Sequence, residues 1–131
     1  MNEKDTVFKK AIDNEVPSII ALVNEFSKNN HGTITKTRDG KKQFVDLVEA
    51  SGQACCIDEF KLYIKYKGSK DGTRSLWGGL ADPLIVQIDE LIKIANKIED
   101  NNENVKLEVL KRFCGYLMWR THADISGQGG R

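Results

Sequence analysis

Three cysteines and two histidines are the side chains of this 131-residue chain best suited to nucleophilic or metal chemistry: Cys55, Cys56, Cys114, His31 and His122. Neither histidine stands at metal-ligand spacing from a cysteine, and Cys55-Cys56 is not a C-x-x-C unit, so the pattern predicts no metal site. A Cys–His nucleophilic pair that used Cys55 would make the protein a cysteine-dependent hydrolase. Cys56 and Cys114 fall on apolar faces, which favours a place in the core.

Residues for phosphate-loop or acid–base chemistry are not arranged as a site. The chain contains no G-x-x-x-x-G-K-[ST] motif. Its acidic residues form the adjacent pairs Asp89-Glu90 and Glu99-Asp100, an arrangement typical of a solvated helix face. The sequence therefore predicts a protein that is not an enzyme and that needs no cofactor.

The distribution of charge carries more information than the net charge of +1. Residues 33–75 hold 9 Lys and Arg against 6 Asp and Glu, and residues 105–131 hold 5 against 2. The acidic stretch 76–104, with 2 against 6, separates these two basic blocks. If both blocks fold onto one side, the molecule has a basic face that suits a polyanion. Ordinary solvated charge is the alternative explanation.

The basic residues of the first block form a candidate track for a phosphate backbone. Tyr66 lies off the apolar stripe of its segment, where it could stack on a base or on a partner protein, or simply pack. The candidate nucleic-acid-binding residues of this block are Lys36, Arg38, Lys41, Lys42, Lys61, Lys65, Tyr66, Lys67, Lys70 and Arg74.

Hydrophobic periodicity predicts the elements that must position these residues. A helix covers about residues 14–28, and a second starts at Thr35 or Asp39 and runs to about Ala50. Asp82-Pro83 is a cap followed by proline and predicts the start of the clearest amphipathic helix, with residues 73–81 as a loop before it. The last helix covers about residues 105–122.

Residues 53–67 are ambiguous by periodicity. As a helix, Ile57, Phe60 and Ile64 form one stripe. As a strand, Leu62, Ile64 and Tyr66 alternate with polar residues, and the two patterns score almost equally.

These elements together predict an all-α fold, a compact bundle of about five helices in a single domain over residues 1–125. The glycine-rich stretch 126–131 is expected to be a disordered tail. No apolar run reaches the roughly 18 residues that a membrane span needs, and the polar start at Met1 lacks the apolar core of a secretion signal. A cytoplasmic protein without membrane contact is the expectation.

Three segments resemble, in order and spacing, the small subunit of type III, III-A-like, CRISPR–Cas effector complexes. Residues 35–38 (TKTR) resemble that family's Thr-Lys-x-Arg helix start. Residues 60–70 (FKLYIKYKGSK) resemble its aromatic helix, which ends in a tyrosine, a glycine and a basic residue. Residues 110–117 (LKRFCGYL) resemble its final helix, which carries an Arg-Phe pair. This likeness covers about residues 33–120 and adds Arg112 to the candidate nucleic-acid-binding residues.

The resemblance implies an all-helical, non-catalytic antiviral-defence subunit of a ribonucleoprotein complex. Its partners would be guide and target RNA, other subunits of the effector complex and further copies of itself, stacked head to tail along the RNA path. It also favours the helical interpretation of residues 53–67. Asp39-Gly40 and residues 72–79 depart from the family pattern, so a small subunit of another type III variant fits as well.

A helical protein–protein adaptor without nucleic-acid contact is the alternative function. Its interface anchors would be Tyr63, Tyr66 and Trp77.

Overall fold

A computed structural model describes residues 3–37, 39–70 and 76–129. Within these ranges the backbone forms seven helices and no strand. The helices are α1 (Glu3–Asn14), α2 (Val16–Asn29), α3 (His31–Lys36), α4 (Gly40–Gln53), α5 (Ile57–Lys70), α6 (Leu76–Ile98) and α7 (Glu103–Gly129). The all-α prediction is confirmed. The expected number of about five helices was too low, because α1 and the short α3 are helices of their own.

The ambiguous segment 53–67 is helical. Ile57, Phe60 and Ile64 are buried at helical spacing, whereas Leu62 and Tyr66 are exposed. A two-residue repeat would have put Leu62, Ile64 and Tyr66 on one face. The helical stripe is the one that packs on α6, so tertiary contact resolves what periodicity left open.

The predicted loop 73–81 is wrong from Leu76 onward, because α6 begins there and Pro83 lies inside the helix. Apolar residues continue at helical spacing upstream of Asp82-Pro83, and their burial outweighs the weak helix propensity of Gly78-Gly79. These buried residues are Leu76, Trp77, Leu80 and Leu84.

Helix α7 is the centre of the bundle and contacts each of the other six helices. Its start is tied to α5, where the Ile57 amide donates to Glu103 Oε2 at 2.9 Å. Near its other end, His122 Nε2 lies 3.0 Å from the carbonyl oxygen of Lys41 at the start of α4. Because Lys41 begins α4 while His122 lies late in α7, these two helices run in opposite directions, and α5 runs alongside α7 in the same direction.

The end of α7 extends into the stretch for which the composition predicts disorder. The helix continues to Gly129, and residues 130 and 131 lie outside the described ranges. Ile125 packs against the start of α4, where its Cδ1 would lie 2.9 Å from a methyl group placed on Gly40. That contact holds the last turns of α7 against the bundle.

The core is apolar and continuous, with Phe44, Phe60 and Phe113 almost completely buried. Among the buried polar side chains, Gln87 donates through Nε2 to the carbonyl oxygen of Leu22 at 2.8 Å. Such pairing removes the cost of burying an amide. In the part of the chain that is described, no helix combines the length and the hydropathy of a membrane span.

Candidate nucleic-acid interface

Close helix approaches gather α3, the start of α4 and the end of α7 at one end of the bundle. A methyl group in place of the Gly40 hydrogen would lie 3.3 Å from the carbonyl oxygen of Ile34 and 2.9 Å from Ile125. Ile125 Cδ1 is the end of a flexible side chain and can move, whereas the backbone of Ile34 would have to shift slightly, so glycine favours this close approach.

The last turn of α5 and the first turn of α6 lie at this same end of the bundle. A methyl group on Gly68 would lie 2.7 Å from Cβ of Ala81 and 3.1 Å from the carbonyl oxygen of Trp77. Trp77 Nε1 then donates to Gln43 Oε1 in α4 at 3.0 Å, and its ring packs edge-on against Phe44 with 5.7 Å between centroids. Trp77 thereby connects α6 to α4.

Five predicted lysines are placed at this end by those contacts. We call them the basic end: Lys36, Lys41, Lys42, Lys67 and Lys70. Lys67 is half-buried and the other four are exposed. Among the described residues, no carboxylate lies within 4 Å of any of these five ammonium groups. Their charges are therefore available to an external anion.

Tyr66 and Lys65 lie next to the basic end on the outward side of α5. Tyr66 is 58% exposed, which contradicts simple packing as its role. Nζ of Lys70 lies 5.9 Å from the centre of its ring, within reach of a cation–π contact. The arrangement offers an aromatic face beside positive charge, as in proteins that stack single-stranded bases.

Two predicted site residues are engaged elsewhere. Lys61 Nζ lies 2.6 Å from Asp89 Oδ1 on α6. Arg112 lies 2.7 Å from Asp13 Oδ1, and this hydrogen bond raises the pKa of Arg112 and lowers that of Asp13. Arg112 is ten residues, or about 15 Å of helix, before His122. It is therefore far from the basic end.

The two basic blocks do not form one face. In the second block Lys111 pairs with Glu108 and Arg120 with Asp124, while Lys106 lies in the first turn of α7, at the opposite end of the bundle. The first block alone supplies the basic end. Arg38 and Arg74, which were also predicted to bind nucleic acid, lie outside the described residues.

The cysteines and histidines are not assembled into a nucleophilic or metal site. Cys55 follows the end of α4, so the length of that 14-residue helix, about 21 Å, separates it from Lys41 and His122. His31 lies at the same end of the bundle as Lys41 and His122, with its Nδ1 3.9 Å from Oδ2 of Asp124. Burial raises the pKa of Cys114 to about 12, which leaves it a neutral thiol. No group of three metal-ligating side chains occurs among the described residues.

Comparison with known proteins adds no identification. No protein-family model matches the chain, and neither a curated protein nor a solved structure is significantly similar to it.

The signal that sequence reasoning missed lies in the glycines. The sequence pattern indicates no helix contact at Gly40, Gly68 or Gly79. In the structure each marks a close approach; at Gly79 a methyl group would lie 3.1 Å from Cγ2 of Thr33. A glycine inside a helical pattern is a sequence feature that could have pointed to such an approach, although Gly115 has no neighbour within 4 Å and shows that the feature alone does not suffice.

Proposed function

We propose that the protein is a non-catalytic RNA-binding subunit that holds a phosphate backbone at the basic end. The observation that carries the proposal is the presence of five unpaired lysines at one end of the described bundle. Seven cations elsewhere in the described chain have a carboxylate within 4 Å, whereas the five lysines of the basic end have none; Lys10, Lys28, Lys65 and Lys106 also have none, but they are spread over four helices. The paired cations are Lys9, Lys61, Lys93, Lys97, Lys111, Arg112 and Arg120.

Clustering matters because each exposed lysine alone interacts weakly with a phosphate through water. Five of them at one end add their potentials, and Tyr66 supplies a flat apolar surface for a base. Lysines contact the phosphate backbone of the RNA and Tyr66 stacks on the flat face of a base, which all four bases have. The binding is therefore expected to be independent of base sequence.

The resemblance of residues 35–38, 60–70 and 110–117 extends this proposal to a biological setting. We place the protein in the cytoplasm as a small subunit of a type III CRISPR effector complex, where it would line the guide RNA–target RNA path. Cleavage would belong to other subunits. Partners would then include those subunits and further copies of the chain.

The salt dependence of RNA binding tests the proposal. With five phosphate contacts to a single strand, the logarithm of the association constant should fall with the logarithm of the salt concentration with a slope of about −3.5. The variant Lys36→Gln, Lys41→Gln and Lys70→Gln removes three of those contacts, so its slope should be shallower by about 2. Fluorescence anisotropy of a labelled uridine oligonucleotide measures both.

A matched control separates the location of charge from its amount. Lys10→Gln, Lys93→Gln and Lys97→Gln remove the same charge from α1 and from the last turns of α6. This control should bind RNA as the unmodified protein does. An equal loss of RNA affinity in both triple variants would show that only the total charge matters, and it would contradict the basic end as the binding site. No binding by the unmodified protein at low salt would refute the proposal and favour the adaptor, although Trp77 is only 3% exposed and cannot be its anchor.

A further inference from the structure

A cleft of about 520 Å³ lies between α1 and the first half of α7. Its lining comes from residues 8, 9 and 12 of α1 and from residues between 104 and 112 of α7. Cavities that hold small organic molecules measure about 300–1,000 Å³, so the cleft has the size of a ligand site. The stretch of α7 from Arg112 to His122, roughly 15 Å of helix, separates it from the basic end. The proposed RNA site therefore does not use this cleft.

Part of the lining of the cleft is apolar. Phe8 and Ile12 contribute from α1, and Val105 and Leu107 contribute from α7. Ile12, Val105 and Leu107 are buried, and Phe8 is half-buried against the core. Water in contact with such side chains is released when a hydrocarbon group takes its place, which favours binding. The cleft therefore suits a molecule that has an apolar part.

The charged side chains of the cleft carry a surplus of one positive charge. Lys9, Lys111 and Arg112 line it together with the carboxylate of Glu108. Glu108 pairs with Lys111 at 3.0 Å, whereas Asp13 is shared, with Oδ1 at 2.7 Å from Arg112 and Oδ2 at 3.2 Å from Lys9. Three cations thus have two carboxylates between them. Because exposed ion pairs of this kind are weak, an external anion can exchange into them at small cost.

We propose that the cleft between α1 and α7 binds a medium-chain monocarboxylate. Its carboxylate lies among Lys9, Lys111 and Arg112, and its hydrocarbon chain lies against Phe8 and Ile12. A single negative charge matches the single surplus positive charge, and the planar guanidinium of Arg112 suits the geometry of a carboxylate. A polyanion is attracted instead to the five unpaired lysines of the basic end.

An NMR titration of the whole protein with octanoate, kept below its micelle concentration, tests the proposal. Amide signals of residues 8–13 and 104–112 should shift together and saturate with a dissociation constant of about 1 mM, as expected for a ligand with so few atoms. Octanol has the same chain without the charge and should bind several-fold more weakly. Octyltrimethylammonium, with the opposite charge, should produce no saturable shift at the cleft.

Two variants separate the charged and the apolar parts of the site. Lys111→Gln removes a cation that is exposed on α7, so the fold is retained, and it should weaken octanoate binding about threefold to fivefold. Phe8→Ala removes apolar surface and should weaken the binding of octanoate and of octanol alike, by about tenfold. The matched control Lys93→Gln removes the same charge from α6, where the side chain is 72% exposed, and should bind octanoate as the unmodified protein does.

Three results would overturn the proposal: no saturable shift at the cleft, equal affinities for octanoate and octanol, or octanoate shifts that centre on Lys36, Lys41 and Lys70. The last result would show a general attraction of anions to lysines. The triple lysine variant of the basic end should bind octanoate normally, and saturating octanoate should leave RNA anisotropy unchanged. This proposal and the proposed function therefore fail separately.

Discussion

Two helical glycines, Gly68 in the last turn of α5 and Gly115 in the middle of α7, should respond in opposite ways to the same substitution. Replacing Gly68 by alanine places a methyl group 2.7 Å from Cβ of Ala81 and 3.1 Å from the Trp77 carbonyl oxygen. Neither neighbour is the end of a flexible side chain, so α5 must move away from α6. Overpacking of this kind costs about 1–3 kcal/mol.

Helix propensity acts in the other direction and sets the net effect. Alanine favours a helix interior over glycine by about 1 kcal/mol. Gly68→Ala should therefore lower the free energy of unfolding by about 0–2 kcal/mol. Gly115→Ala, with open space around the new methyl group, should raise it by about 1 kcal/mol.

Thermal unfolding of the two variants in dilute solution measures the difference directly. For a chain of this size about 1 kcal/mol corresponds to roughly 4 °C in Tm, so Gly115→Ala should melt about 4–12 °C above Gly68→Ala. Equal stabilisation by both substitutions would refute the close α5–α6 approach, and with it the position of Lys67 and Lys70 next to α4.

Two further predictions concern titrating groups. Burial raises the pKa of the Cys114 thiol from 9.0 to about 12, so the unfolded chain loses this proton at lower pH than the folded protein. The free energy of unfolding should therefore fall as the pH rises above about 9. Urea titrations of Cys114→Ala, which lacks the thiol, should show a smaller fall. Arg112 and Lys9 hold the pKa of Asp13 below 3.8, a contribution to stability that is lost as the pH falls through the folded pKa. Arg112→Gln should move the Asp13 pKa back up in an NMR titration, and an unchanged value would contradict the ion pair.

The fold class follows from the sequence because apolar residues recur at helical spacing along most of the chain. The start of α6 does not follow, because Gly78-Gly79 and Pro83 predict a loop by local propensity. Their helix exists because Leu76, Trp77 and Leu80 are buried against other helices, and a tertiary contact of this kind is absent from a local pattern. The same reason explains why residues 53–67 stayed ambiguous.

The candidate site was predictable in part. Lys36, Lys41 and Lys42 are neighbours along the chain, so their clustering needs little tertiary information. Their meeting with Lys67 and Lys70 depends on close approaches at glycines, which composition does not reveal. Arg112 could not be excluded from sequence, because its partner Asp13 is 99 residues away.

The central position of α7 has a consequence for synthesis. Six helices pack against α7, which begins at Glu103. The Ile57 amide at the start of α5 can form its hydrogen bond only after Glu103 has been synthesised. Before α7 is synthesised, α6 can already pack against α5 and α2, but the faces of α2 and α4 that meet α7 remain uncovered. Completion of the native core must therefore follow synthesis of the 27 residues of α7, and the apolar faces that α7 covers are exposed to aggregation until then.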